Sequence, residues 1–469
     1  MIFHPQNLIP AEGSYRFEKT VHATAHPALD KPIIREFWQN FTHRSSTLEF
    51  SPSDQLIFAI GDTEPMPLDG AAYSVRIDEN GVCILAESEQ DLLHGFMTLL
   101  DRLHAIDCDE TLAMVADCCQ LRERALIGAR MVHYCLFPEN SLRDLQHFVR
   151  FCAALKYTHV VLEFWGTFKY ECLDALSWPG AYTKEELRPI IREAQDLGLE
   201  VIPMFNHWGH ASASREMQGK HVVLDQDPTL QTYFSEDGWC WNIQSPRVRD
   251  LLHRVRAELI DLCGKGSYFH LGCDEARNFE LNRENMDLLC EYINGIAEEL
   301  KELGRRAIVW GDMFLYRHPH YNPKNRYTCN APSPEVESYL LDHLSRDLII
   351  ADWQYHSPEF PIETSSVFQN AGFTCFLCPW DEGIPQMQAA VKTVKEQALN
   401  GIMHTTWHTL SGKMSFVTMA AIGGFESLDE YTRHKGGTIT AGLWRRVMPS
   451  NGSYEDAGWA KKQIDVYWK

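Results

Sequence analysis

The stretch YTHVVLEFWGTFKYECLDALSWPGAYTKEELRPIIREAQDLGLEVIPMFNHWGH, residues 157–210, decides the fold class. HVVLEF (159–164) and EVIPMF (200–205) are short apolar runs of strand character, and between them TKEELRPIIREAQDLG carries its apolar residues at helical spacing. Thr183 followed by Glu186 is a capping-box pattern at the start of that helix, and Gly198 ends it. A strand, a helix and a second strand in this order form the unit of a parallel α/β architecture, because a tight hairpin cannot join parallel neighbours.

Working outward from this unit, further strand-like runs occur at ALIGAR (125–130), YFHLG (268–272), AIVW (307–310), DLIIAD (347–352), FTCFLC (373–378) and GIMHTT (401–406). With the first two that makes eight strands separated by helices, which fits a closed (β/α)8 TIM barrel better than an open sheet. SLRDLQHFVRFCAALK follows the first run, with Ser141 as N-cap. The first 120 residues read differently. AAYSVRID and VCILAES alternate around the turn Glu79-Asn80-Gly81, and the helix EQDLLHGFMTLLDRLH follows, as in a small α+β domain. The expected division is an N-terminal α+β domain (1–120), a catalytic barrel (121–410) and a helical C-terminal extension (411–469).

The chain of 469 residues has 64 acidic against 43 basic residues, a formal charge of −21. Such a surface repels phosphate backbones and anionic lipid, so neither nucleic acid nor a membrane is an expected partner. MIFHPQNLIPAEGSYRFEKT lacks the basic and apolar regions of a signal peptide, and no run approaches the roughly 18 apolar residues of a membrane helix. The 14 cysteines are scattered singly, many in apolar stretches. That is the usage of reduced, buried thiols, and the expected location is cytoplasmic. Cys375 and Cys378 form a CxxC, but with no second pair at zinc-finger spacing they read as buried strand residues. Gly264-Lys265-Gly266 is too short for a phosphate loop. No metal and no cofactor are expected.

A barrel of this type works where its strands run into the βα loops. The fourth strand end, YFHLGCDEARN (268–278), places His270, Asp274 and Glu275 together. Adjacent, partly desolvated carboxylates push their proton affinities apart, so an acid and an anion can coexist near neutrality, the division of labour that acetal cleavage needs. The alternative is that Asp274 caps the following helix and Glu275 is solvated. After the third strand come Asn206, His207 and His210. A histidine there can tune a carboxylate or be a hydrogen-bonded structural residue, and a zinc site from His207, His210 and a carboxylate lacks a recognised ligand spacing. Aromatic residues recur at strand ends: Trp165, Trp310, Trp353 with Tyr355, Trp380 and Trp407. Each alone could be core, but together they suit a walled sugar pocket.

These residues resemble the family 20 glycoside hydrolases, the β-N-acetylhexosaminidases. His270-x-Gly272-x-Asp274-Glu275 is similar to the family's H-x-G-G-D-E, with Cys273 at the second glycine, and Trp208-Gly209-His210 to its P-G-H. AAYSVRIDENGVCILAESEQDLLHGFMTLLDRL resembles the domain that precedes the family's barrel, and WGDM (310–313) resembles the segment after its fifth strand. The resemblance implies an exo-acting, retaining hydrolase of a terminal β-linked N-acetylhexosaminide, in which the substrate's acetamido oxygen is the nucleophile. It implies Glu275 as general acid and base, Asp274 as the group that orients the acetamide, and His210 as a tuner of Glu275. It implies Trp310, Trp353 and Trp407 as walls of the sugar site. Tyr355, with Trp380 nearby, would complete the acetamide grip, and Arg124 or Arg130 would bind sugar hydroxyls. The chain departs from the family's first-strand pattern at Ala129 and Val132, has Trp165-Gly166 for an acidic pair after the second strand, and lacks an acid near Trp407.

Two other readings stay open: a glycosidase for another sugar, whose nucleophile, Glu163 or Asp352, would lie about 5 Å from Glu275, and a silent carbohydrate-binding protein. A small carbohydrate is the expected partner. The preference for gluco or galacto configuration and homodimerisation are left open.

Overall fold

The protein is represented by a computed structural model that describes residues 2–449, apart from 6, 62–66, 109–110, 139, 213–222, 278, 320–325 and 408–412. Eight parallel strands close into one barrel: Ala129–Cys135, His159–Glu163, Glu200–Met204, Tyr268–His270, Arg306–Trp310, Ile349–Trp353, Thr374–Cys378 and Gly401–His404. The last strand pairs with the first from Gly401↔Ala129 to His404↔Val132. Strands buried by helices outside and by each other inside need apolar residues on both faces, which is why they appear as continuous apolar runs. Met131, Val161, Ile202, Met204, Ile308, Ile349, Phe376 and Met403 fill the interior.

Seven strands lie where their apolar runs place them. The first does not. ALIGAR is largely the lead-in, and the strand runs from Ala129 to Cys135. Its inward positions carry His133 and Cys135 beyond Met131, so polar residues interrupt the run while Val132 and Tyr134 face the helices outside.

The helices begin where their caps place them. Leu142–Ala154 starts at a capping box of Ser141 with Asp144, and Lys184–Asp196 at one of Thr183 with Glu186. Met414–Gly423 packs on the last barrel strand and on helix Ile384–Glu396, in the place of an eighth barrel helix, and Arg433–Arg446 packs against it. Residues 450–469 lie outside the described residues.

An eight-stranded mixed sheet formed by residues 7–123 precedes the barrel. Tyr73–Asp78 and Gly81–Ala86 make its expected hairpin, and helix Glu89–Arg102 covers one face. This domain docks at the N-terminal end of the barrel strands. Gln90 Nε2 donates to the carbonyls of Thr158 and Gly198, and buried Lys156 Nζ meets Glu123 at 2.7 Å. The strands run toward the opposite end of the barrel, where the βα loops gather.

Candidate active site

At that end, the fourth strand stops at His270 and the chain makes tight bends through Gly272 to Glu275. Cys273 and Glu275 take left-handed φ values of 73° and 44°, and Trp165 and His210, which follow the second and third strands, do the same at 43° and 53°. Non-glycine residues persist in this region only where the surroundings enforce it, and they cluster at functional sites. Two glycines make the crossing possible. A Cβ on Gly209 would lie 2.0 Å from the Asp274 carbonyl, and one on Gly272 would lie 1.9 Å from Asn206 Oδ1. The third-strand loop can therefore rest directly on the carboxylate-bearing loop.

That contact brings His210 to both acids. Its Nε2 lies 3.2 Å from Asp274 Oδ2 and 3.3 Å from Glu275 Oε2. Asp274 Oδ1 is buried and has no hydrogen-bond partner among the described residues. The capping alternative for Asp274 fails, since the next helix begins at Arg283 and is capped by Asn282. Glu275 also meets Arg277, whose exposed guanidinium approaches Oε1 to 2.8 Å. The hydrogen bond from His210, the charge of that ring and Arg277 outweigh burial and hold the Glu275 carboxyl down at about 2.

Behind the pair lies Asp312, in the turn after the fifth strand. Its carboxylate accepts from the Glu275 backbone N–H at 3.0 Å, from Asn330 Nδ2 at 2.8 Å and from Trp353 Nε1 at 3.0 Å. Burial and the neighbouring Asp274 charge push its proton affinity up.

The aromatic residues named from the sequence converge here. Trp310 packs 4.4 Å from the His270 ring and 5.7 Å from Trp407, Trp353 lies 4.9 Å from Tyr355, and Trp380 lies 5.3 Å from Tyr355. The Tyr355 oxygen accepts from Trp407 Nε1 at 2.6 Å and from Thr405 Oγ1 at 3.2 Å, which leaves its own O–H to donate elsewhere. Burial keeps that phenol protonated.

Neither arginine belongs to this group. Arg124 binds the Gly70 carbonyl and Glu87 of the N-terminal domain. Arg130, the second residue of its strand, donates to the carbonyls of Lys156, Ile127 and Gly128 and lies over Phe425. Both sit at the wrong end of the barrel, because the first strand starts four residues later than its apolar run suggests. Its true C-terminal end instead presents His133 and Cys135. His133 Nε2 lies 3.0 Å from Glu163 Oε2, Cys135 Sγ lies 3.3 Å from the same oxygen, and Asn206 Nδ2 lies 3.4 Å from Oε1. His133, which packs 4.6 Å from Trp407, was not legible as a site residue. The strict alternation Met131, His133, Cys135 was the available signal.

The donor atoms of His133, Cys135 and Glu163 lie within 4.8 Å of one another, close enough to share a small metal ion. A metal-ligating histidine ordinarily gives its second nitrogen to an acceptor, whereas His133 Nδ1 is buried with no partner among the described residues. The cluster therefore reads as hydrogen-bonded polar groups buried inside the barrel. His207 turns away from His210, its Nδ1 lying 2.6 Å from the Phe205 carbonyl oxygen, so the two histidines do not form a zinc pair. Asp352 accepts from Thr364, Ser365 and Gln354 within the surrounding wall and does not enter the mouth as a nucleophile.

An eight-stranded parallel barrel with an acid pair at its fourth strand, a histidine between the acids and an aromatic wall defines a barrel protein of the carbohydrate-processing type. The chain belongs to glycosyl hydrolase family 20, whose catalytic-domain model matches residues 160–415. In sequence it is 25% identical over 304 residues to a beta-hexosaminidase of Porphyromonas gingivalis, a match that covers 56% of this chain and 38% of that protein. The chain thus spans well under half the length of this curated relative. In fold it is similar to the GH20 exo beta-N-acetylglucosaminidase of Vibrio harveyi in complex with N-acetylglucosamine, with a TM-score of 0.68 and 16% identity over 94% of this chain and 76% of that one. It is also similar to the beta-N-acetylhexosaminidase of Bacteroides fragilis, with a TM-score of 0.67 and 14% identity over 94% of both chains.

Proposed function

We propose that this chain is an exo-acting, retaining hydrolase that removes a terminal β-linked N-acetylhexosamine by substrate-assisted catalysis. The observation that carries the reading is Asp274: one oxygen faces His210 and the other is buried with no donor among the described residues, beside Glu275. An acetamido N–H is the complementary donor. Accepting it turns the acetamide oxygen toward the anomeric carbon and offsets the positive charge that the amide gains as its oxygen attacks. Glu275 gives its proton to the leaving oxygen as the bond to the aglycone breaks. It then takes a proton from the water that opens the oxazolinium ring, and the β configuration returns.

The remaining groups support this reading. Trp310, Trp353 and Trp407 wall the sugar and its N-acetyl methyl, and the Tyr355 hydroxyl donates to the acetamide oxygen. With both arginines elsewhere, the buried His133–Glu163 pair, whose histidine packs 4.6 Å from Trp407, backs the aromatic wall. Among the described residues no helix is long and apolar enough to cross a membrane. The thirteen described cysteines form no disulfide, which supports a cytoplasmic setting.

The test is release of 4-nitrophenol from the β-N-acetylglucosaminide, the β-N-acetylgalactosaminide and the plain β-glucoside. Cleavage of N-acetyl substrates alone, reduced by about 10²–10⁴ in Glu275→Gln and in Asp274→Asn, supports the proposal. Equal cleavage of the plain glucoside, or binding of sugar without turnover, sinks it.

A further inference from the structure

We infer that Asp312 is a positioning residue of this site, fixing through one carboxylate both the peptide that carries Glu275 and the indole of Trp353. The inference rests on the hexosaminide reading above and deepens it.

Asp312 is 2% exposed and stands between the loops that follow the fourth and sixth strands. Its Oδ2 takes the Glu275 backbone N–H and Asn330 Nδ2, its Oδ1 takes Trp353 Nε1, and its own carbonyl takes the Asn330 N–H at 2.6 Å. Each bond holds something the chemistry needs. The Glu275 backbone is left-handed, a conformation that relaxes unless it is tied, and a general acid displaced by an ångström loses its alignment with the leaving oxygen. Trp353 lies against Tyr355 at 4.9 Å, and an indole that turned would widen the space for the N-acyl group. A buried carboxylate beside Asp274 is an unfavourable choice if packing alone were at stake, as its raised proton affinity records. A carboxylate is nevertheless suited to the task, because its two oxygens accept from three donors on opposite sides, which one amide cannot do.

Asp312→Asn and Asp312→Ala separate the two duties. The single amide oxygen of Asn can keep the Glu275 and Asn330 donors, which turns its NH2 against the Trp353 N–H. Asp312→Asn is therefore expected to lower the preference for N-acetyl over N-butanoyl substrates by roughly tenfold while leaving the dependence on leaving group near wild type. Asp312→Ala frees Glu275 as well. It is expected to slow simple alkyl N-acetylhexosaminides, which need protonation, at least about tenfold more than the 4-nitrophenyl compound. Trp353→Phe, which lacks the N–H, is expected to reproduce the loss of N-acyl preference, and Asp312→Asn is expected to add nothing to it.

If both Asp312 variants, folded by circular dichroism, slow every substrate by one common factor, Asp312 is scaffold only and the inference fails. If Asp312→Ala does not fold, the Asp312→Asn and Trp353→Phe cycle decides alone: additive effects on N-acyl preference overturn the link, and non-additive effects uphold it. A wild type that cleaves no N-acetyl substrate overturns the functional reading itself, an outcome distinct from wild-type activity with indifferent Asp312 variants.

Discussion

Glu275 must deliver a proton, yet His210 and Arg277 together hold its carboxyl at about 2. The two grips differ in permanence. His210 is buried and pinned by Gly209, whereas the Arg277 side chain is 67% exposed and can swing aside when an aglycone enters. Losing Arg277 raises the Glu275 proton affinity, since a cation beside a carboxylate favours the charged form. Arg277→Gln is therefore expected to move the alkaline limb of kcat/KM upward, on the order of one pH unit, because that limb reports the proton that Glu275 must hold. A limb that stays in place would show that Arg277 does not govern the acid. At this scale the sequence was informative where residue types were unusual. Asp274, Glu275, His210 and the tryptophans stand out in apolar surroundings. His133 does not, since the alternation that marks it as inward-facing is hidden once the strand is placed over ALIGAR rather than Ala129–Cys135.

Among elements, the crossing of the third and fourth βα loops sets the geometry of the acid pair. Gly209 lies so close to the Asp274 backbone that a methyl group has no room, and the obstruction is main chain rather than a flexible side chain. Gly209→Ala is expected to push the loops apart, costing about 1–3 kcal/mol of stability from overpacking and lowering kcat about a hundredfold, with both read from one purified sample by thermal unfolding and turnover. Full activity with unchanged stability would mean that the loops adjust freely and that His210 is not held by this contact. The elements themselves were largely legible, because capping boxes and apolar runs are local signals. The first barrel strand was the exception. Its inward face carries His133 and Cys135, so polar residues break the apolar run that marks a buried strand. With the strand running from Ala129 to Cys135, Arg124 and Arg130 lie at the end of the barrel away from the acid pair.

At the scale of the whole molecule, the N-terminal domain grips the barrel's closed end through a buried charge pair. Lys156 and Glu123 meet there, with Tyr73 bonded to both groups. Burial alone would raise the Glu123 proton affinity, but Lys156, Tyr73 and Arg130 outweigh it and lower it. The stability this contributes is present at neutral pH and is lost as pH falls through the lowered value. Lys156→Ala leaves Glu123 buried without its cation and is expected to cost about 3–5 kcal/mol, as seen by denaturant unfolding. The kcat of the molecules that remain folded should hardly change, because the pair lies at the end of the barrel away from the acids. A fall in kcat with stability intact would instead couple the domain to catalysis. The domain order was readable from the change of pattern near residue 120, but this docking was not, since it joins residues far apart in the chain.

The central claim is that the substrate's own acetamide is the nucleophile. It is tested most directly by kcat/KM for 4-nitrophenyl β-N-acetylhexosaminides carrying no, one, two or three fluorines on the acetyl methyl. Fluorine withdraws electrons from the amide oxygen without much change in shape, so the account predicts a steep fall with each fluorine. A rate that stays level across the series would contradict it and point to a nucleophile supplied by the protein.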